Sequence, residues 1–125
     1  MENLTIEATE YKPRIDFDAE SGVLEISKNS YGEYTLEFFK PVFEWLKAYT
    51  QDDGKKVELN FKMTYFNTST SRRFLEILNI LEDYYENRGG DVNVNWYYDE
   101  NDMDMLEQGE DYLEDVSLPL NLIPL

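Results

Sequence analysis

Apolar and polar positions divide this chain into elements before any other property is consulted. Leu4 and Ile6 open a short alternation that predicts a first strand. Ile15 and Phe17, then Leu24 and Ile26, flank Asp18-Ala19-Glu20-Ser21-Gly22. That cluster of turn formers predicts a β-hairpin with a loop longer than two residues, entered at Pro13. From Tyr34 to Tyr49 the period becomes helical: Leu36, Phe39, Val42, Phe43, Leu46 and Tyr49 share one face, with Glu37, Lys40, Glu44 and Lys47 mostly opposite. Pro41 either kinks this helix or marks the first turn of its main part. Trp45 reads as a core or rim aromatic, and Gln51-Asp52-Asp53-Gly54 ends the run.

Val57, Leu59, Phe61, Met63 and Tyr65 then alternate with polar residues, the period of a strand with one wet face. Phe74, Leu75, Ile77, Leu78, Leu81, Tyr84 and Tyr85 recur at helical spacing up to Asn87-Arg88-Gly89-Gly90. Val92, Val94, Trp96 and Tyr98 alternate again. Strand, helix and strand of these lengths form a βαβ unit with parallel strands. Because both strands alternate, the helices are expected mainly on one face of the sheet. Asp99 to Asp104 form an acidic cluster ahead of a further helix, whose inner face would hold Met105 or Leu106, Gly109, Tyr112, Leu113 and Val116. Its spacing fails as a calcium loop, since Met103 and Asp104 fall where a ligand and a glycine are needed. Leu118 to Leu125, an apolar segment with two prolines, is expected to lie extended against the core. The fold class is α/β, or mixed α+β: a single domain over residues 1–125 with an open mixed sheet and about three helices.

The turn between the Val57–Tyr65 strand and the helix after it carries the candidate chemistry. Asn67, Thr68 or Ser69 can cap the helix, and Thr68, Ser69, Thr70 and Ser71 place four hydroxyls in succession. Arg72 and Arg73 follow, in or near a first turn whose partial positive charge disfavours cations. An anion bound there reverses the sign, because it meets free N–H groups, the helix dipole and guanidinium donors together. A phosphate on one of the hydroxyls is such an anion. Local physics leaves two readings open: a phosphorylation switch, or an ordinary cap with arginines paired to an acidic surface. The turn sits at the carboxyl end of its strand, where open α/β sheets place their sites. Phe66, Tyr97, Tyr98, Asp99, Glu100 and Asp102 are expected at the same end as a docking edge for a partner.

Composition narrows the function classes. The net charge is -16, which disfavours binding to nucleic acid or to an anionic membrane and favours basic protein partners. The chain has neither cysteine nor histidine, so thiolate chemistry is excluded and proton transfer near neutrality falls to carboxylates, lysine or tyrosine. No cofactor motif, metal site or membrane span is read from the chain. The N-terminus lacks the pattern of a signal peptide, so a cytoplasmic location is expected. An acidic protein that mimics DNA, and a small enzyme using paired carboxylates, are the alternatives.

Tyr65-Phe66-Asn67-Thr68-Ser69 followed by a basic residue and an apolar helix resembles the SiaC family of bacterial regulatory phosphoproteins. So do Asn95-Trp96-Tyr97-Tyr98-Asp99, Ser30-Tyr31 before the first helix, and the Leu-Pro-Leu-Asn-Leu ending, in matching order over nearly the whole chain. The resemblance implies a non-enzymatic STAS-like domain related to anti-sigma factor antagonists, acting as a partner switch. It implies a dedicated Ser/Thr kinase, a PP2C-type phosphatase, and an unmodified form that binds and activates a diguanylate cyclase. The family's phosphoacceptor threonine corresponds to Thr68, with Ser69 second. Thr70, Ser71 and the paired arginines depart from the family pattern.

Overall fold

The strands lie side by side in the order in which the chain makes them. In the computed structural model, which describes residues 1–125, the elements are β1 (Leu4–Ile6), β2 (Arg14–Phe17), β3 (Val23–Ser30), α1 (Thr35–Tyr49), β4 (Lys56–Phe66), α2 (Thr68–Asn87), β5 (Asp91–Tyr98), α3 (Met103–Asp115) and β6 (Leu120–Pro124). They form one six-stranded sheet of order β1-β2-β3-β4-β5-β6. β1, β2 and β3 are joined antiparallel, as short hairpin connections allow. β3 to β6 are parallel, each step crossing through one helix.

All three helices cover one face. Ile15, Phe17, Leu24, Ile26, Val57, Leu59, Phe61, Val92, Val94 and Trp96 point into a core completed by the helices. Trp45 of α1 meets Phe17, Phe74 of α2 meets Phe61, and Tyr112 of α3 meets Trp96, each as an aromatic pair. The other face is polar. Lys62 pairs with Glu25 at 3.0 Å, and Asn60, Asn95 and Asn121 form a row of amide hydrogen bonds of 2.9 and 3.1 Å across β4, β5 and β6. That division between faces is why the strands read as alternating.

A bulge corrects part of the strand pattern. Lys28 has φ of +76°, and the β3–β4 register slips between Lys28 and Asn29: Lys28 faces Met63, while Asn29 faces Tyr65. The residue skipped, Thr64, inverts the alternation beyond it. Tyr65, expected inside, is therefore 55% exposed, and Phe66 is 4% exposed among Phe74 and Trp96. The first helix needs a similar correction, since Leu36 is 60% exposed and Thr35 takes the buried place at that end. Pro41 stands inside an unbroken α1. Tyr85 and Leu113, assigned to inner faces, are surface residues. The C-terminal segment is extended, as expected, and pairs with β5 as a sixth strand. The two outer strands are poor edges: β1 has 3 residues, and β6 ends in Pro124, which has no N–H.

Candidate functional site

The turn from β4 to α2 is built by a single cap. Asn67 is extended (φ -94°, ψ 177°), and its side-chain oxygen accepts from the Thr70 N–H at 2.9 Å. Its own N–H donates to the Ser30 carbonyl at 3.1 Å, tying the turn to the end of β3. α2 begins at Thr68, so Thr68, Ser69 and Thr70 are its first three residues. Arg72 and Arg73 are therefore its fifth and sixth residues, just past the first turn.

The four hydroxyls have four different environments. Thr70 is fully buried; it donates to the Ser30 carbonyl at 3.0 Å and lies 2.8 Å from the Ser30 hydroxyl. Ser69 is half-buried and shares a 2.5 Å hydrogen bond with Thr35 at the start of α1. Ser71 bonds Tyr112 of α3: the Ser71 hydroxyl lies 2.8 Å from the phenol oxygen, and the phenol donates to the Ser71 carbonyl at 2.9 Å. Thr68 alone is exposed, and its hydroxyl is not engaged by the protein.

The two arginines separate for a geometric reason. Neighbours on a helix point about 100° apart. Arg72 is exposed and, four residues after Thr68, lies on the same side of α2. Thr68, Ser71, Arg72 and Leu75 form one wall of a groove of about 240 Å³, with Gln108, Asp111, Tyr112 and Asp115 of α3 as the other. Arg73 turns away instead. It is mostly buried, its guanidinium pairs with Glu76 at 3.0 Å, and its Nε has no partner. Only Arg72 is placed to meet an anion on Thr68. Burial pushes the Tyr112 phenol up to about 12, with the bond from Ser71 pulling the other way.

A second, wider groove of about 730 Å³ opens at the carboxyl ends of β4 and β5. Tyr97, Tyr98, Asp99 and Asp102 of the expected docking edge line it, together with Lys62, Met103, Asp104 and Leu125. Lys62 stands over the Tyr97 ring, 5.1 Å from its centre. Asp102 also caps α3, accepting from the Met105 N–H at 3.1 Å. Glu100 is exposed beside the groove rather than in its lining. Phe66, expected at this edge, is in the core because of the bulge. Trp96 is wholly buried, its indole donating to the Met105 carbonyl at 2.9 Å.

Sequence reasoning missed three groups near the turn. Tyr31 stacks edge-on between Tyr11 and exposed Tyr65, with ring centres 5.2 and 5.7 Å apart. The α3 residues Gln108, Asp111 and Asp115 form the far wall of the Thr68 groove. Their helical spacing marks a common face, but only the packing of α3 beside α2 shows what that face meets. Tyr112 was assigned correctly to the inner face, without any sign that its hydroxyl reaches Ser71.

A family model described as SiaC family regulatory phosphoprotein matches residues 6–125. An uncharacterised protein of Pseudomonas aeruginosa (strain UCBPP-PA14) is 32% identical over 119 residues, 95% of this chain and 94% of that one. The crystal structure of apo-SiaC from Pseudomonas aeruginosa is similar with a TM-score of 0.90 and 31% identity, covering 98% of this chain and 99% of that chain. SiaC in the crystal structure of the diguanylate cyclase SiaD with its activator SiaC, also from Pseudomonas aeruginosa, gives 0.91 and 30%, with the same coverage.

Proposed function

The chain belongs to the SiaC family of regulatory phosphoproteins, and on that premise we propose that it is a non-enzymatic partner switch controlled by phosphorylation of Thr68. One observation carries the choice of residue. Among the four hydroxyls of the turn, Thr68 is the one that is exposed and free, whereas Ser69, Thr70 and Ser71 each hold another part of the fold together. A kinase can reach it without dismantling the turn. The phosphate, carrying a charge of about −1.5 to −2, meets the first turn of α2 and the Arg72 guanidinium, with Asp111 and Asp115 facing it. Asn67 and Ser69 complete the turn; Thr70 and Ser71 keep its shape, and Arg73 supports α2 through Glu76.

In this reading a Ser/Thr kinase adds the phosphate and a PP2C-type phosphatase removes it, both in the cytoplasm. This is the economy of partner switches related to anti-sigma factor antagonists. The unmodified form engages an effector of the diguanylate cyclase class, in the manner of the SiaC that activates SiaD. Tyr97, Tyr98, Asp99 and Asp102 offer that effector aromatic surface and negative charge in one groove. The deciding experiment incubates the purified chain with its kinase and maps the phosphate by mass spectrometry. Modification confined to Thr68, lost in Thr68→Ala and accompanied by changed effector capture, is the expected result. Stoichiometric phosphate on Thr68→Ala, or capture indifferent to the phosphate, overturns the reading.

A further inference from the structure

The two grooves share one wall. Helix α3 contributes Met103 and Asp104 to the wider groove, and Gln108, Asp111, Tyr112 and Asp115 to the groove beside Thr68. Near its start α3 is fixed to the sheet: the Trp96 indole bonds the Met105 carbonyl, and Gly109 lies against the same ring. Nearer its end the tie is to α2. Tyr112 is buried, and both hydrogen bonds of its phenol go to Ser71, one to the side chain and one to the backbone. Ser71 follows Thr68 by three residues in the same helix.

We propose that Tyr112 is a positioning residue that holds α3 against the Thr68 turn, and that a phosphate on Thr68 acts on the docking groove by moving α3 against this tie. The inference rests on the reading that Thr68 is the residue modified. A dianion on Thr68 enters a space walled by Asp111 and Asp115, which it repels, and by Arg72, which it attracts. The two carboxylates belong to α3 and the guanidinium to α2, so the phosphate drives the helices apart at this level. That displacement loosens α3 by breaking the Tyr112–Ser71 bonds, which bridge the same two helices within the same groove, so a chain that already lacks them has less left to release. Held against Trp96 at Met105 and Gly109, α3 pivots there when its far end moves. Displacement at Asp111 and Asp115 reaches Met103 and Asp104, where the effector would dock. The Tyr112–Ser71 pair thus decides how much of the phosphate's effect arrives.

The test uses the full chain with phosphothreonine installed at position 68 during synthesis, so that it needs neither kinase nor effector. Amide hydrogen exchange across Met103–Asp115 is measured with and without the phosphate, in the parent, in Tyr112→Phe and in Tyr84→Phe. Tyr84 is the control because its buried phenol bonds Asp52 and Lys55 at the opposite end of α2. In the parent, phosphate is expected to raise exchange in Met103–Gly109 about tenfold. In Tyr112→Phe the unmodified protein already exchanges faster there, and phosphate adds less than in the parent. Tyr84→Phe keeps the whole phosphate effect despite comparable destabilisation. An unchanged α3 in the phosphorylated parent overturns the inference, as does a phosphate effect of equal size in Tyr112→Phe. Should Tyr112→Phe fail to fold, Ser71→Ala removes only the side-chain bond and is read in the same way. Mapping of the phosphate from cells tests the choice of Thr68 separately: phosphate on another residue defeats the functional reading and leaves the exchange result standing.

Discussion

Gly109 lies so close to Trp96 that a Cβ on it would sit 2.5 Å from the indole Cδ1 and 2.8 Å from Nε1. The indole cannot retreat, being fully buried and hydrogen-bonded to Met105. Alanine would gain up to about 1 kcal/mol of helix propensity but force overpacking that costs about 1–3 kcal/mol. Gly109→Ala is therefore expected to destabilise the fold on balance, seen as a lower urea midpoint. A midpoint above the parent's would mean that α3 shifts freely on the sheet.

Capping and the proposed modification fall on adjacent residues and are separable. Asn67→Ala removes the side-chain oxygen that accepts from Thr70 N–H, at a cost of about 0.5–2 kcal/mol. Thr68→Ala removes an exposed side chain outside the cap and should stay within about 0.5 kcal/mol of the parent. Urea unfolding of the two variants checks the order, and a larger loss for Thr68→Ala would mean that Thr68 holds the helix end.

Thr70 and Ser30 act as a pair across 40 residues of sequence. Thr70→Val breaks its bond to the Ser30 carbonyl and the bond between the two hydroxyls, and Ser30→Ala breaks only the hydroxyl pair, so each should destabilise by about 1–2 kcal/mol. Because they share that bond, the double variant should lose less than the sum of the singles, with a coupling of about 0.5–3 kcal/mol. Additive losses in a double-mutant cycle would show that the two hydroxyls act independently.

Tyr112 gives stability an alkaline limit. Its folded pKa, about 12, lies above the ordinary tyrosine value of 10.0, so the folded state holds the proton longer than the unfolded chain does. The unfolded chain binds fewer protons between those values, and stability falls with rising pH across that window. Below pH 10 the contribution is whole; by pH 12 it is spent, an amount on the order of 2–3 kcal/mol. Tyr112→Phe should be less stable than the parent at pH 8, and the gap should shrink or invert towards pH 12. Denaturation midpoints of both proteins across that range check the sign.

Most of the sheet was legible because β3, β4 and β5 have one wet face, which leaves alternation in the sequence. The reading failed where a local irregularity changed the parity. The bulge at Lys28 exchanges the roles of Tyr65 and Phe66, and nothing in those residue types announces it. β6 was read as extended but not as a strand, because Leu118 to Leu125 is apolar except for Asn121 and interrupted by prolines, so no alternation stands out. Arg72 and Arg73 looked equivalent, yet the rotation of one helical residue sends one to the groove and the other to Glu76. Asn67, Thr68 and Ser69 all qualified as caps from composition; only the Thr70 N–H distinguishes them. Contacts spanning 34 to 41 residues, such as Thr35 with Ser69 and Ser71 with Tyr112, depend on which helices become neighbours, and no local pattern encodes that.

The flanks of the sheet also restrict how this protein can be recognised. A three-residue strand at one flank and a proline-terminated strand at the other leave little backbone on which a foreign chain could be templated. Self-association into fibrils is discouraged for the same reason. Recognition is left to side chains, where the proposed phosphate would alter it without unmaking the scaffold beneath.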